Sequence, residues 1–558
     1  MAKYDNFSRE ELIELLQKQD KELARKKYGL VWDSEKEPEQ VVLDCAKKLP
    51  ILKNIAEKDI KTNDGDYNIM IEGDNYHALQ VLNYTHKGKI DVIYIDPPYN
   101  TGNKDFIYND KYVDKEDRYR HSKWLNFMEK RLELAKELLK DKGVMFISID
   151  EHEFANLKLL CDKIFNEHNV ECIIWRKNGK QGNTKKIQRI KFTHEYIIIV
   201  YKNDKNNVNF GKVKLLPNWK GKKTNPDNDP RGNWESGVIC RDEEHSDQNS
   251  QNYYSIKLPS GRILTREFYF DYPSFLEYEK ENKIYYPKNG DGIPRLKIFE
   301  KEEQPYYFDS IIDEMGTFTD AKDEIKEIFN SDIFDTPKPR KMIKEIFRAA
   351  SHKKSLILDF FAGSGTTGHA ILDLNKQDGG KRKFILCTNN DGNIATQVCY
   401  PRVKKVIYGY QKNDNEEFIE GLGGNLKYFK TDFVVNSKNK TQTKINLAKQ
   451  CSEMLCLKTG IFNLLDEENP CFKIFDNNSH NQFLCVYFDL FGENIQQFIN
   501  KIKTLNGEKF VFMFSLDENV DKSLFEKIED IKIEPIPQKI LGVYKKIAKE
   551  HIKGDNYD

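Results

Sequence analysis

Apolar and polar positions along this chain alternate with two periods. Ile69-Met70-Ile71, Ile90-Asp91-Val92-Ile93-Tyr94-Ile95, the run 144–149 and Ser355-Leu356-Ile357-Leu358-Asp359-Phe360-Phe361 are short, nearly continuous and rich in β-branched and aromatic residues. Such runs read as buried strands. Between them, residues 77–82, 122–140 and 153–165 repeat apolar side chains at helical spacing. Strand, helix, strand is the alternation of a parallel α/β sheet, which strands at 172–175 and 196–201 extend. Upstream, the capping box Ser8-Arg9-Glu10-Glu11 opens an amphipathic helix that carries Leu12, Ile13, Leu15, Leu16 and Leu23, and a polar connector covers 28–40. Downstream the periodicity breaks up over 204–330, helical spacing returns at 338–350, and a strand at 384–387 follows. The tail has strands of its own at 472–475, 483–488 and 510–514. The expected domains are an N-terminal arm and connector (1–60), a first core half (61–203), an inserted domain (204–330), a second core half (331–412) and a C-terminal α/β module (413–558).

Composition narrows this picture. At 558 residues, two to four domains are expected. Lys plus Arg equals Asp plus Glu, at 89 each, so a nucleic-acid surface requires local segregation of charge. Residues 176–191 provide it. Arg176, Lys177, Lys180, Lys185, Lys186, Arg189 and Lys191 stand there without one acid, as either a phosphate-contacting loop or a solvated one. The insert adds Lys220-Gly221-Lys222-Lys223 and many aromatics, which either stack on bases or build the insert's own core. Ten cysteines without a Cys-x-x-Cys pair argue against a metal ribbon or a disulfide framework, so no metal is expected. No apolar run approaches the ~20 residues of a membrane span, and no signal peptide is visible, so a soluble cytoplasmic protein is expected.

Two stretches carry the candidate chemistry. Asp96-Pro97-Pro98-Tyr99 places an acid, a rigid turn and a ring at a strand's carboxyl end, where open α/β sheets bind ligands. The loop Asn100-Thr101-Gly102-Asn103 follows it. Far downstream, the strand ending at Asp359 runs into Ala362-Gly363-Ser364-Gly365-Thr366-Thr367-Gly368 and a helix. This cradle brings backbone amides close to a ligand, and its Gly-x-Gly-x-x-Gly spacing suits a dinucleotide as well as other nucleotides. Asp74, after the first strand, either caps a helix or meets a ligand. Asp391, after Asn389 and Asn390, is either a turn acid or a ribose partner.

The paired motifs resemble those of amino-group DNA methyltransferases. Their order, with the Asp-Pro-Pro-Tyr half before the insert and the glycine half after it, resembles the permuted β class of N6-adenine enzymes. Tyr28-Gly29-Leu30-Val31-Trp32, Glu72-Gly73-Asp74-Asn75 and residues 96–103 further resemble the modification (Mod) subunit of type III restriction-modification systems. The resemblance covers about residues 20–410. It implies an α/β fold, a Rossmann-like S-adenosylmethionine-dependent methyltransferase domain of permuted motif order with an inserted target-recognition domain. It implies double-stranded DNA as substrate, a homodimer and an ATP-dependent restriction (Res) partner in a bacterial cytoplasm. It implies that Asp96 and Pro97 bind the target amine, that Pro98 shapes the turn and that Tyr99 stacks on the base. For the cofactor it implies Phe361, Gly363, Gly365 and Thr366 around the methionine moiety, Asp359 at the strand end and Asp74 near the adenine. Lys338 and Pro339 fall in a further cofactor segment, and Asp391 is a ribose partner although the family's acid usually lies nearer the strand end, at Thr388 or Asn389 here. N4-cytosine methylation is the alternative, but those enzymes more often carry Ser where Asp96 stands. A dinucleotide-dependent oxidoreductase would leave Asp-Pro-Pro-Tyr unexplained.

Overall fold

The computed structural model describes residues 38–177, 192–205, 224–299, 309–313, 315–412, 417–466, 469–516 and 519–552, together with residues 9, 12, 13 and 16 and the backbone of Val213–Leu215 and Gln304–Tyr306. The four isolated N-terminal residues are helical. The rest of the expected arm and most of its connector lie outside the described residues, as do residues 178–191 of the basic loop and 216–223 of the insert. The chain divides into two compact units, one formed by Phe210–Phe308 and the other by Met1–Asn209 with Asp309–Asp558.

The larger unit is built on a ten-stranded sheet. Its strands are β1 (Lys48–Asn54), β2 (Tyr67–Glu72), β3 (Ile90–Ile95), β4 (Leu139–Ile149), β5 (Val170–Arg176), β6 (His194–Tyr201), β7 (Ile311–Ile312), β8 (Leu356–Asp359), β9 (Lys383–Thr388) and β10 (Asn425–Val435). They lie side by side in the order β1-β10-β2-β9-β8-β3-β4-β6-β5-β7. The stretch from β10 to β4 is parallel throughout. Strands covered on both faces by helices need no polar alternation, which is why Val92, Ile93, Tyr94, Ile95, Met145, Phe146, Ile357 and Leu358 are all buried. The helices used below are α1 (Asn75–Thr85), α2 (Arg120–Leu138), α3 (Phe154–Phe165), α4 (Phe318–Phe329), α5 (Arg340–Ala350), α6 (Thr366–Asp378) and α7 (Gln538–His551).

The connections put a crevice in one place. From β3 the chain crosses through α2 to β4 on one side, whereas from β8 it crosses through α6 to β9 on the other. The order therefore reverses between β8 and β3, whose registers join Ile357 to Val92 and Leu358 to Ile93. Outside the carboxyl ends of two such strands the flanking loops diverge and leave room for a ligand. The Asp96 turn and the glycine loop, distant in sequence, thus emerge from neighbouring strands.

Three expected boundaries shift because they were drawn from local periodicity. Residues 309–330 fall in the larger unit, where β7 pairs with β5 and α4 follows, so the insert's compact part is 210–308. The expected N-terminal region, 1–60, contains β1 beyond its connector, and the expected C-terminal module contains β10; these two strands pair antiparallel and extend the main sheet. The module's own five-stranded sheet runs from Asn463 to Ile536, and its last helix returns to the core. Tyr544 of α7 donates to the carbonyl of Pro50 at 2.6 Å, and His551 Nδ1 lies 2.9 Å from the Tyr76 hydroxyl of α1.

The smaller unit holds short antiparallel ribbons around Ile239, Leu264, Phe268 and Phe275. Among its described aromatics, Phe268 and Phe275 belong to that core and Tyr254, Phe270, Tyr278 and Tyr286 pack against it, whereas Tyr269 and Tyr272 are exposed. Trp234 and Phe268 are buried, and Tyr254 stacks on Phe268 at 4.3 Å. Among the described residues, all ten cysteines are free and no helix is long and apolar enough to cross a membrane.

Candidate active site

β3 stops at Ile95 because two prolines follow, and the turn they form is held from behind. The carbonyl of Pro98 accepts the indole N–H of Trp124, buried in α2, at 2.7 Å. Asn100, fully buried with φ +58°, donates at 2.5 Å to Glu153 at the head of α3. Glu153 is itself buried, and it also bonds His121 at 2.7 Å and Asn156 at 2.7 Å. Pro97 is buried, and among the described residues its carbonyl accepts no hydrogen bond.

Asp96 does not stand alone at the turn. Its Oδ1 is 2.8 Å and its Oδ2 2.9 Å from Nζ of Lys338, in the segment before α5. The Tyr99 hydroxyl lies 3.0 Å from Asp96 Oδ1 and 3.0 Å from Glu195 Oε2, so its single proton is shared between two carboxylates. Glu195 opens β6 and is buried; Lys177 Nζ reaches its Oε1 at 3.3 Å, and Lys338 lies 3.6 Å from its Oε2. Burial pushes the Asp96 carboxyl above the ordinary range, and Lys338 opposes that rise. Burial alone would lower Lys338, but Asp96 and Glu195 outweigh it and hold the ammonium charged. Tyr99 is raised well above its usual value by burial and by the two acids, so it stays a neutral phenol.

The glycine half meets this group from β8. Gly363 and Gly365 have φ of +48° and +76°, conformations that favour glycine, and a Cβ on Gly365 would lie 3.2 Å from Cys399 Sγ. Buried Asp359 ties the loop down, accepting the Phe361 N–H at 3.0 Å and the Thr367 hydroxyl at 2.6 Å. Its carboxyl is raised to about 7 by burial.

Two cavities share Asp96, Pro98, Phe361 and Gly363 as common wall. Asp105 lines both as well, and the larger, about 640 Å³, is further lined by Asp44, Asp74, Thr388, Asn389 and Asp391. Its volume suits a nucleoside-sized ligand and its acid-rich wall suits a cation, as S-adenosylmethionine requires. The smaller, about 410 Å³, is lined by Tyr99, Glu195, Phe318, Thr336 and Lys338.

The expected site residues sort between these cavities. Asp74 caps α1 by accepting the Tyr76 N–H at 2.7 Å, and it also lines the larger cavity. Asn389 and Asp391 line the same cavity, bonded to each other at 2.6 Å. Lys338 sits in the smaller one, on the acid and not among the larger cavity's residues. Pro339, which precedes α5, and Gly365 line neither, and Asp359 lines the smaller one. Thr366 faces the smaller cavity, but its hydroxyl accepts from buried Arg402 at 2.7 Å. Of the expected phosphate contacts, Arg176 pairs with Asp313 at 3.0 Å and Lys177 turns inward to Glu195. Lys180, Lys185, Lys186, Arg189, Lys222 and Lys223 lie outside the described residues. Sequence reasoning missed Glu195, Trp124 and Phe318. An acid at the head of the apolar run 196–201 is the one local hint for Glu195.

The DNA methylase family pattern matches residues 90–419. The chain is 32% identical over 382 residues to the Mod subunit of the type III restriction-modification enzyme StyLTI of Salmonella typhimurium, covering 64% of this chain but only 58% of that relative. It is 30% identical to the Mod subunit of EcoPI of Escherichia phage P1, covering 74% of this chain and 71% of the relative. It is 34% identical to the type II methyltransferase M.KpnI of Klebsiella pneumoniae, covering 62% and 85%. With the Asp-Pro-Pro-Tyr turn and the glycine loop joined across one crevice inside the matched stretch, the chain belongs to the DNA methylase family.

Proposed function

We propose that this protein transfers a methyl group from S-adenosylmethionine to N6 of adenine in double-stranded DNA, as the modification subunit of a type III restriction-modification system. The observation that supports the reading most strongly is the meeting of two cavities at Asp96. One is sized and charged for the cofactor; the other is walled by Asp96, Pro97 and the Tyr99 ring.

The bound cofactor supplies a methyl group already activated by its sulfonium. What the chain must supply is an amine able to attack it. An exocyclic adenine nitrogen is a poor nucleophile because its lone pair is delocalised into the ring. Hydrogen bonds from its two protons to the Asp96 carboxylate and the Pro97 carbonyl draw the nitrogen toward tetrahedral geometry and localise that pair. As the N–C bond forms and the S–C bond breaks, positive charge develops on nitrogen beside Asp96. One amine proton then leaves toward that carboxylate. Extruding a base from the duplex costs roughly a few kcal/mol, of which stacking on an aromatic ring such as Tyr99 returns about 1–3 kcal/mol.

For the cofactor, Phe361, Gly363 and Gly365 hold the methionine end, and Asp74, Asn389 and Asp391 the nucleoside end. Sequence choice belongs to the insert and phosphate contact to the basic loop at 176–191. The type III assignment rests on the two Mod-subunit relatives, and with it go a homodimer and an ATP-dependent restriction partner in a bacterial cytoplasm. A type II enzyme also stands among the relatives, so the restriction partner is tested by co-purification. The enzymatic test is incubation with methyl-labelled cofactor and DNA of mixed sequence. Label in N6-methyladenine is expected; label confined to cytosine overturns the base assignment. Asp96→Asn should lose at least about 100-fold in rate, the scale of losing an oriented polar contact at a reacting centre, while cofactor still raises its melting temperature.

A further inference from the structure

The group around Asp96 holds more charge than amine activation requires. Two carboxylates and two ammoniums alternate there: Asp96, Lys338, Glu195 and Lys177, with the neutral Tyr99 hydroxyl bridging the acids. Lys338 and Glu195 are almost fully buried, at 5% and 2% exposure, and a buried charge is costly unless it has a partner and a task. Glu195 reaches the site because β6 runs antiparallel to β4 and β5, which puts the start of β6 at the sheet edge where β3 ends.

Resting on the methyltransferase reading above, we propose that Glu195 is a positioning residue for the transfer. It shares Lys338 with Asp96 and fixes the Tyr99 hydroxyl on Oδ1, so that Oδ2, with a single partner, is the oxygen that keeps a lone pair for the target amine. The asymmetry is visible in the contacts. Asp96 Oδ1 is engaged by both Lys338 and Tyr99, whereas Oδ2 meets Lys338 alone among the described residues. Lys338 already touches both Asp96 oxygens, and without the Glu195 charge it would be held more tightly there and compete more strongly with the amine. The groups facing Asp96 are few: Lys338 from the segment before α5, Glu195 from β6, Tyr99 from its own turn, Tyr94 from β3 with its hydroxyl on Ser148, and Asp359 from β8. Lys177 acts only through Glu195. Removing the Glu195 charge therefore leaves the cation dominant at Asp96, and removing Lys338 leaves the acids dominant.

That opposition gives the test. Single-turnover methyl transfer by the full-length protein to amplified DNA of mixed sequence is followed with pH for wild type, Glu195→Gln and Lys338→Gln. Glu195→Gln keeps the volume and an acceptor for Tyr99. Its rate should fall about tenfold or more, the scale for a hydrogen bond to a charged group. The acid limb of its profile should move to lower pH, because Asp96 now stays ionised further down. Lys338→Gln should move the limb the other way, which keeps the idea falsifiable if one variant fails to fold. Cofactor-induced thermal stabilisation should be retained in both. Limbs that stay where the wild type has them, or that move in the same direction, overturn the role of Glu195. A wild type that labels no DNA base overturns the function on which the proposal rests, and does so independently of either variant.

Discussion

Asp359 carries a conflict that can be measured. It must be an acceptor to hold the glycine loop, yet it is buried at 3% exposure with Asp96 nearby, and its value rises to about 7. A carboxyl whose folded-state value lies above its unfolded value, ~3.9, stabilises the fold at low pH. That contribution is complete below the unfolded value and lost as pH rises through about 7. Asn at the same position has nothing to lose. Between about pH 5 and about pH 8, Asp359→Asn should thus gain roughly 2 kcal/mol of stability relative to wild type, read from urea unfolding at each pH. Parallel curves for the two proteins would show that the carboxyl is not raised. At the same scale, the residues legible in sequence were those whose role is set by their neighbours in the chain. The Pro97-Pro98 turn and the glycines at 363 and 365 announce themselves locally. Lys338 did not: its segment suggested a cofactor contact, and its partner Asp96 lies 242 residues upstream, in the turn after β3.

The reactive turn is built from three elements, and its rigidity should depend on the two that carry no chemistry. α2 holds Pro98 through Trp124, and the head of α3 holds Asn100 through Glu153. Trp124→Phe keeps the ring and removes the N–H, which should cost about 1 kcal/mol of stability. The single-turnover rate should fall further than that loss of folded protein explains, with cofactor affinity unchanged; a rate that tracks stability alone would show the turn to be rigid without α2. Elements were readable where one strand and one helix suffice to define them. They were not where pairing is remote. β1 and β10 looked like connector and separate module because nothing in 48–54 or 425–435 announces a partner hundreds of residues away. The direction of β6, and with it the arrival of Glu195, is a property of the sheet and not of the run 194–201.

At the scale of the molecule, the two units should answer differently to deletion. Replacing 210–308 by a flexible linker removes a unit with its own apolar core, and cofactor should still raise the melting temperature while DNA methylation is lost. Removing 436–558 instead strips α7 from α1 and β1 and exposes the core side chains they present, such as Leu52, Tyr76 and Tyr84, so that protein should aggregate on expression. Soluble, cofactor-binding protein after the second deletion would restore the C-terminal region to the status of a separable domain. The strand order of the main sheet also sets a schedule. β3, which carries the reactive turn, has β4 on one side soon after it is made, but its other neighbour, β8, leaves the ribosome about 260 residues later, roughly 13–50 s at 5–20 residues per second. For that interval the central strand of the enzyme has an open edge able to pair with a neighbouring nascent chain. The reactive centre therefore stays unsealed until the whole insert has been made, and a ribosome that stalls within the insert leaves it sticky as well as inactive.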